Sequence, residues 1–284
     1  MFVQFALLFD AVAGSYSQRW IEMYNNGGDD LVCRLQIQSD RSIAVRGSDG
    51  VIAAQTAPGV IQTGIWQYLE VKVVSAASGE VRIKLDGVEV LNETGIDTSI
   101  SDTTVTRVRF MSSSSSFQHG MTYDDIVILD DGGVAPHNDN IGDVRIAVLL
   151  PTSDEGPNDW VPSGGSNEYE MIDDPVPGGD DGDTTYISGD TPAQKSLFGF
   201  GGLPGDAESI FAVASVVSAR KTDAGSKTMR TYVDSGGTID NGDTWGVVTD
   251  YFVRRHIWER DPNTGALFVK AGVDAIKSGV EVVS

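Results

Sequence analysis

The chain has 284 residues, a formal net charge of −21 and a single cysteine, Cys33. The length allows two domains of roughly 100–200 residues each, and one cysteine rules out an internal disulfide framework. The acidic balance, with no Lys/Arg cluster, argues against nucleic acid and anionic membranes as partners. The 33 glycines and the abundance of Val and Ile give a strand-and-turn composition.

The opening run Met1–Asp10 lacks the basic leading segment of a signal peptide and is broken by Asp10. It is expected to be a core strand, and no stretch approaches the ~20 apolar residues of a membrane span. Leu31–Leu35 places Cys33 at an alternation position, in a packing role. Trp66–Val74, Glu80–Leu85 and Val88–Leu91 alternate with period two around Asp86-Gly87, a tight-turn signal. Together they predict a three-strand antiparallel meander, with Trp66 in the core. Further strands are expected at Val105–Met111 and Tyr123–Leu129, separated by the five-serine loop Ser112–Ser116.

The texture changes at Val134. Residues 139–190 hold thirteen acidic side chains and one basic, Arg145, among many Pro and Gly. One strand-like piece, Asp143–Leu150, precedes what reads as an extended arm, since charge repulsion and proline favour extension. Ser209–Arg220 reads as a buried strand from its continuous apolar run. Lys227–Val233 and Thr244–Trp258 follow as strands. Val273, Ile276 and Val280 are spaced for one face of a short terminal helix.

Several blocks resemble the concanavalin A-like lectin/glucanase (laminin-G-like) jelly roll of structural proteins in tailed bacteriophages. They are Trp66-x-Tyr68-Leu69-Glu70-Val71-Lys72, Gly79 to Leu91 and Tyr123-Asp124-Asp125-Ile126-x-Ile128-Leu129-Asp130. Later blocks follow in the order seen in that group: Gly142-Asp143-Val144-Arg145, Leu150-Pro151-Thr152, Trp160-Val161-Pro162-Ser163, Asp183-Thr184-Thr185-Tyr186, Ala219-Arg220-Lys221 and Trp258-Glu259-x-Asp261-Pro262. The expected architecture is mainly β. It has a jelly-roll sandwich at 1–133, an acidic Pro/Gly-rich connecting region at 134–206 and a smaller β-rich domain at 207–284. The resemblance implies a virion component, in capsid decoration, tail or fibre, whose partners are other virion proteins and copies of itself.

That fold class includes glucanases, whose catalytic strand carries acids at an E-x-D-x-x-E spacing. The nearest run here is Glu168-Tyr169-Glu170-Met171-Ile172-Asp173, in the connecting region and off the jelly-roll strands. The expectation is therefore that the chain is not an enzyme. Candidate Ca²⁺ ligands are Asp124, Asp125, Asp181 and Asp183, since carboxylates suit a hard cation. Asp-Gly clusters are also the ordinary turn signal. His119, His137 and His256 are scattered and do not suggest zinc. Trp20, Tyr24, Trp160, Tyr169 and Tyr186 are candidates for stacking on a host glycan, with Trp20 also a candidate core residue, and Trp160, Tyr169 and Tyr186 are candidates for anchoring a neighbouring subunit.

Overall fold

The computed structural model describes residues 1–9, 18–25, 30–98, 104–110, 120–174 and 181–284. The five-serine run, His119, Pro175, Pro177 and Asp180 lie outside the described residues. The chain divides into two compact units, Met1–Ile146 and Ala147–Ser284.

The N-terminal unit is built from β1 (Phe2–Phe9), β2 (Gln18–Asn25), β3 (Asp30–Ile37), β4 (Ile43–Arg46), β5 (Ile52–Gln55), β6 (Trp66–Val74), β7 (Gly79–Leu85), β8 (Val88–Ile96), β9 (Arg107–Phe110) and β10 (Met121–Leu129). They form two antiparallel five-stranded sheets, ordered β10-β1-β6-β7-β8 and β5-β4-β3-β2-β9. The inner faces enclose one apolar cluster, as in a jelly-roll sandwich. β1 lies between β10 and β6, and its run Phe2–Phe9 is almost wholly buried. From it, Phe5 meets Trp20 of β2 edge-on at 5.6 Å, Phe110 of β9 at 5.3 Å and Tyr123 of β10 at 5.6 Å. One ring thus joins both sheets, in the edge-to-face geometry that aromatic quadrupoles favour.

The expected meander is β6-β7-β8. Asp86 and Gly87 both have positive φ, 50° and 77°, as a two-residue type I′ turn requires. Cys33 is buried beside Met23, and burial pushes its thiol up to about 12. Trp20 is fully buried, but Trp66 is 47% exposed and does not join the core. Register explains the difference. Val71, Leu69 and Gln67 pair with Val3, Phe5 and Leu7, whereas Trp66 pairs with Leu8 and so shares the outer face.

The C-terminal unit contains β11 (Pro151–Asn158), β12 (Val161–Pro162), β13 (Ile187–Ser188), β14 (Lys195–Phe200), β15 (Val213–Ala219), β16 (Thr228–Ser235), β17 (Thr238–Asn241), β18 (Trp245–Gly246), β19 (Phe252–Trp258), helix α1 (Lys270–Ala275) and β20 (Lys277–Val282). The main sheet runs β11-β14-β20-β16-β17, with β18 also on β16. β12–β13 and β15–β19 are separate two-stranded ribbons.

Four sequence expectations change here. The terminal helix stops at Ala275, and Val280 lies on β20, the central strand of the main sheet. Gly279 permits this position: a Cβ there would strike Ser196 O and come within 2.8 Å of the Tyr232 ring. The run around Val213–Ala219 is not a buried strand but one half of a ribbon with alternating exposure. Asp143–Leu150 joins no ladder, and Ile146 and Val148 are both exposed. Within the stretch read as an extended arm, residues 151–200 supply β11 to β14.

Phe5→Ala is expected to cost about 3–5 kcal/mol, the range for removing a fully buried aromatic, as read by denaturant unfolding of the chain. A loss below about 1 kcal/mol would show that the sandwich does not depend on this ring. Gly279→Ala is expected to lower the stability of the C-terminal unit by about 1–3 kcal/mol through overpacking, measured the same way.

Candidate functional site

The acidic candidates fall in the two units separately. Asp124 and Asp125 sit on β10 where its register with β1 shifts between Gln4 and Ala6. Asp125 takes a positive φ of 52° there, as a short polar side chain tolerates. Its Oδ1 accepts the Ile146 amide at 2.7 Å, Arg145 lies 3.7 Å from Oδ2, and Asp124 accepts the Asp125 amide at 2.8 Å. In the other unit, Asp181 accepts the Thr185 amide and hydroxyl at 3.1 and 2.8 Å. Asp183 accepts two guanidinium bonds from Arg220, at 3.0 and 2.6 Å, and the Tyr251 hydroxyl at 2.7 Å. Those bonds hold its carboxyl below the usual range. The four proposed calcium ligands are thus engaged with protein donors, and among the described residues no group of three or more His, Cys, Asp or Glu is arranged for a metal.

Of the aromatic candidates, Trp20 is core and Tyr24 lies on β2, while Trp160, Tyr169 and Tyr186 belong to one lobe around β12 and β13. Trp160 is half-buried against Gly189, where a Cβ would lie 2.8 Å from its ring, and its Nε1 donates to Gln194 O at 3.3 Å. Tyr169 opens a 3-10 turn, Tyr169–Met171, and its hydroxyl donates to Glu170 at 3.2 Å. Tyr186 is 45% exposed, the most open of the three. The Asp154 carboxylate holds the turn by accepting the amides of Glu168 and Tyr169 at 2.9 and 2.8 Å. The run Glu168–Asp173 is therefore a turn with diverging carboxylates: Glu168 points inward and Glu170 outward. Burial raises the pKa of Glu168, with Asp154 and Asp159 beside it, and its Oε2 has no partner.

Tyr24 belongs to a further polar face, whose other members lie far apart in the sequence. On the outer side of the second N-terminal sheet, Arg109, Glu22, Arg34 and Arg46 stand side by side across β9, β2, β3 and β4. Arg34 Nε donates to Glu22 at 2.6 Å, and the Tyr24 hydroxyl donates to the same carboxylate at 2.5 Å. Arg109 approaches it at 3.8 Å. Arg107 and Arg109 stack over the Tyr24 ring at 5.0 and 5.1 Å, a cation–π geometry. Burial and the bond to Glu22 raise the Tyr24 hydroxyl pKa. Arg46 completes the row by donating to Gln36 at 2.5 Å. The arrangement sets Arg34 and Arg109 on one carboxylate, Arg107 and Arg109 over one phenol ring and Arg46 beside them on Gln36, a donor-rich surface suited to carboxylates.

No family model and no curated protein matches the chain. Among solved structures it is similar to an endo-β-1,4-glucuronan lyase from the fungus Trichoderma reesei, with a TM-score of 0.33 and 17% identity. The match covers 44% of this chain and 66% of the lyase, just under two thirds of its length. This finding overturns the expectation that the chain is not an enzyme, since the structure it is similar to is an enzyme. A likeness this slight assigns no activity to the chain. What stands on the chain's own strands is a mainly-β fold with an N-terminal sandwich.

Glu168 yields a pH test. Its native pKa lies above the ordinary 4.5, so the folded chain holds the proton over a range where the unfolded chain has lost it. Stability from this group is full below the ordinary value and is lost as pH rises through the raised native pKa. Glu168→Gln is expected to be more stable than the parent at neutral pH and to lack that decline, as read from thermal unfolding across the acidic range. An unchanged slope in the variant would assign the dependence to other groups.

Proposed function

We propose that the chain is a structural subunit of a tailed-bacteriophage virion, in capsid decoration, tail or fibre, working through contacts with other virion proteins and copies of itself. One observation carries this reading. Among the described residues the two units expose ten and eleven large apolar side chains, yet the N-terminal unit buries twenty-six apolar ones and the C-terminal unit eleven. Units of nearly equal length therefore differ more than twofold in buried core. A unit with so small a core for its length gains stability when neighbours cover its apolar side chains, which supports a role in an assembly. The ordered sequence blocks from Gly142 to Pro262 support the virion setting. Antibody labelling of purified particles is expected to place the chain on the particle by electron microscopy. Particles that carry no label and no peptide of this chain would refute the reading.

A second reading, binding of a host glycan, draws on the arginine row around Glu22. A carboxylated sugar fits it better than a neutral one, because guanidinium pairs with carboxylate in bidentate fashion, and Tyr24 adds a ring for stacking. On a glycan array, uronic-acid oligomers are expected to bind and neutral glucans to fail. Arg109→Ala is expected to weaken the binding about tenfold, the loss of one charge-assisted contact. Equal binding of neutral and acidic glycans would discard this reading.

A further inference from the structure

The C-terminal unit presents two exposed surfaces of opposite character. In the β15–β19 ribbon, Ala214, Val216 and Ser218 lie opposite Ile257, Arg255 and Val253. Directly paired residues share a face, so these six side chains form one outer surface, and all six are exposed. Val216 and Val253 are 65% and 61% exposed. Arg255 is the sole charge among them, and its guanidinium makes no hydrogen bond or ion pair within the described residues. An unpaired cation in an apolar strip is unexpected in a chain with 41 acidic and 20 basic residues.

The complementary surface is the lobe at β12 and β13. Val161 is 62% exposed and Tyr186 45%. The Ser163 hydroxyl accepts the Tyr186 amide at 2.9 Å and lies 3.6 Å from Met171 Sδ, which joins the Tyr186 edge to the turn carrying Glu170. Glu170 and Asp173 are exposed at its rim. This patch is apolar with an acidic border, where the ribbon is apolar with a basic centre.

We infer that the two surfaces are the halves of one interface: the β15–β19 face of one copy docks head to tail on the Val161–Tyr186 lobe of the next, and Arg255 meets the Glu170 rim. The inference rests on the assembly reading above and names the surface and its occupant. Charge decides between the possible pairings of copies. A two-fold contact of ribbon with ribbon is isologous and brings two Arg255 guanidinium groups, with no acid on that face, into one apolar seam, where like charges repel. The lobe offers the opposite sign, in exposed Glu170 and Asp173.

The test uses the full chain and two charge reversals, Arg255→Glu and Glu170→Arg, followed by light scattering and sedimentation. Each variant alone is expected to weaken self-association at least about tenfold. An equal mixture of the two is expected to regain it, because every contact in an alternating assembly then joins unlike charges. Circular dichroism checks the fold, and Asp173→Arg replaces Glu170→Arg if the turn is disturbed. If the parent associates and both reversals leave it unchanged, or if the mixture fails to recover, the interface lies elsewhere while the assembly reading stands. A parent that remains monomeric at its highest soluble concentration overturns the inference outright, and particle labelling then judges the assembly reading independently.

Discussion

Strand β1 is hydrogen-bonded along both edges and buried on nearly its whole length, and the N-terminal unit is organised around that double demand. Its inward residues Val3, Phe5 and Leu7 need a second sheet to cover them, which the β5-β4-β3-β2-β9 sheet provides. Its outward residues Gln4 and Ala6 are buried as well. Gln4 is covered by the segment around Ile141 and Gly142, to which its amide side chain bonds. A polar side chain in such a place is tolerated because it is paired, since an unpaired amide there would cost about 1–3 kcal/mol. The bulge at Asp125 follows from the same demand, as it lets β10 stay on β1 while turning one carboxylate to the Ile146 amide.

The sequence made some of this legible and hid the rest for identifiable reasons. The Asp86-Gly87 hairpin was readable because turn and alternation are both local. The place of Trp66 was not, since its side depends on whether it pairs with Leu7 or Leu8, a fact about another strand. Pro151–Asn158 looks like loop by composition and forms a strand because β14 pairs with it. Val273–Val280 has helical spacing, yet its second half extends because the main sheet needs a central strand with glycine at 279. Of the candidate site residues, Trp160, Tyr169 and Tyr186 do share one lobe. The row from Arg109 to Arg46 was invisible, because its members lie on four strands and meet only through register.

The two units divide their apolar residues in contrasting ways. The N-terminal unit follows the sandwich pattern, with one large apolar cluster between its two sheets. The C-terminal unit spreads similar strand-forming residues over a six-stranded sheet and two ribbons, around a small cluster of Val233, Trp258, Phe268, Val273 and Ile276. Tight local packing does occur there, as at Gly279 and Tyr232, whose hydroxyl donates to Ser196 O at 3.2 Å. The fold is thus well specified without a core to match its length, and its exposed strands carry Val and Ile where solvent-facing ribbons ordinarily carry charge.

One contact has a geometric consequence. Arg220 leaves the end of β15, Tyr251 precedes β19, and both grip Asp183 in the acidic lobe, with Arg220 stacked over the Tyr251 ring at 5.3 Å. This clamp joins the base of the ribbon to the lobe within a single copy. On the proposed contact, the angle between ribbon and lobe decides whether successive copies close into a ring or wind into a filament, and how many make one turn. The symmetry of the assembly is then encoded in the orientation of one carboxylate.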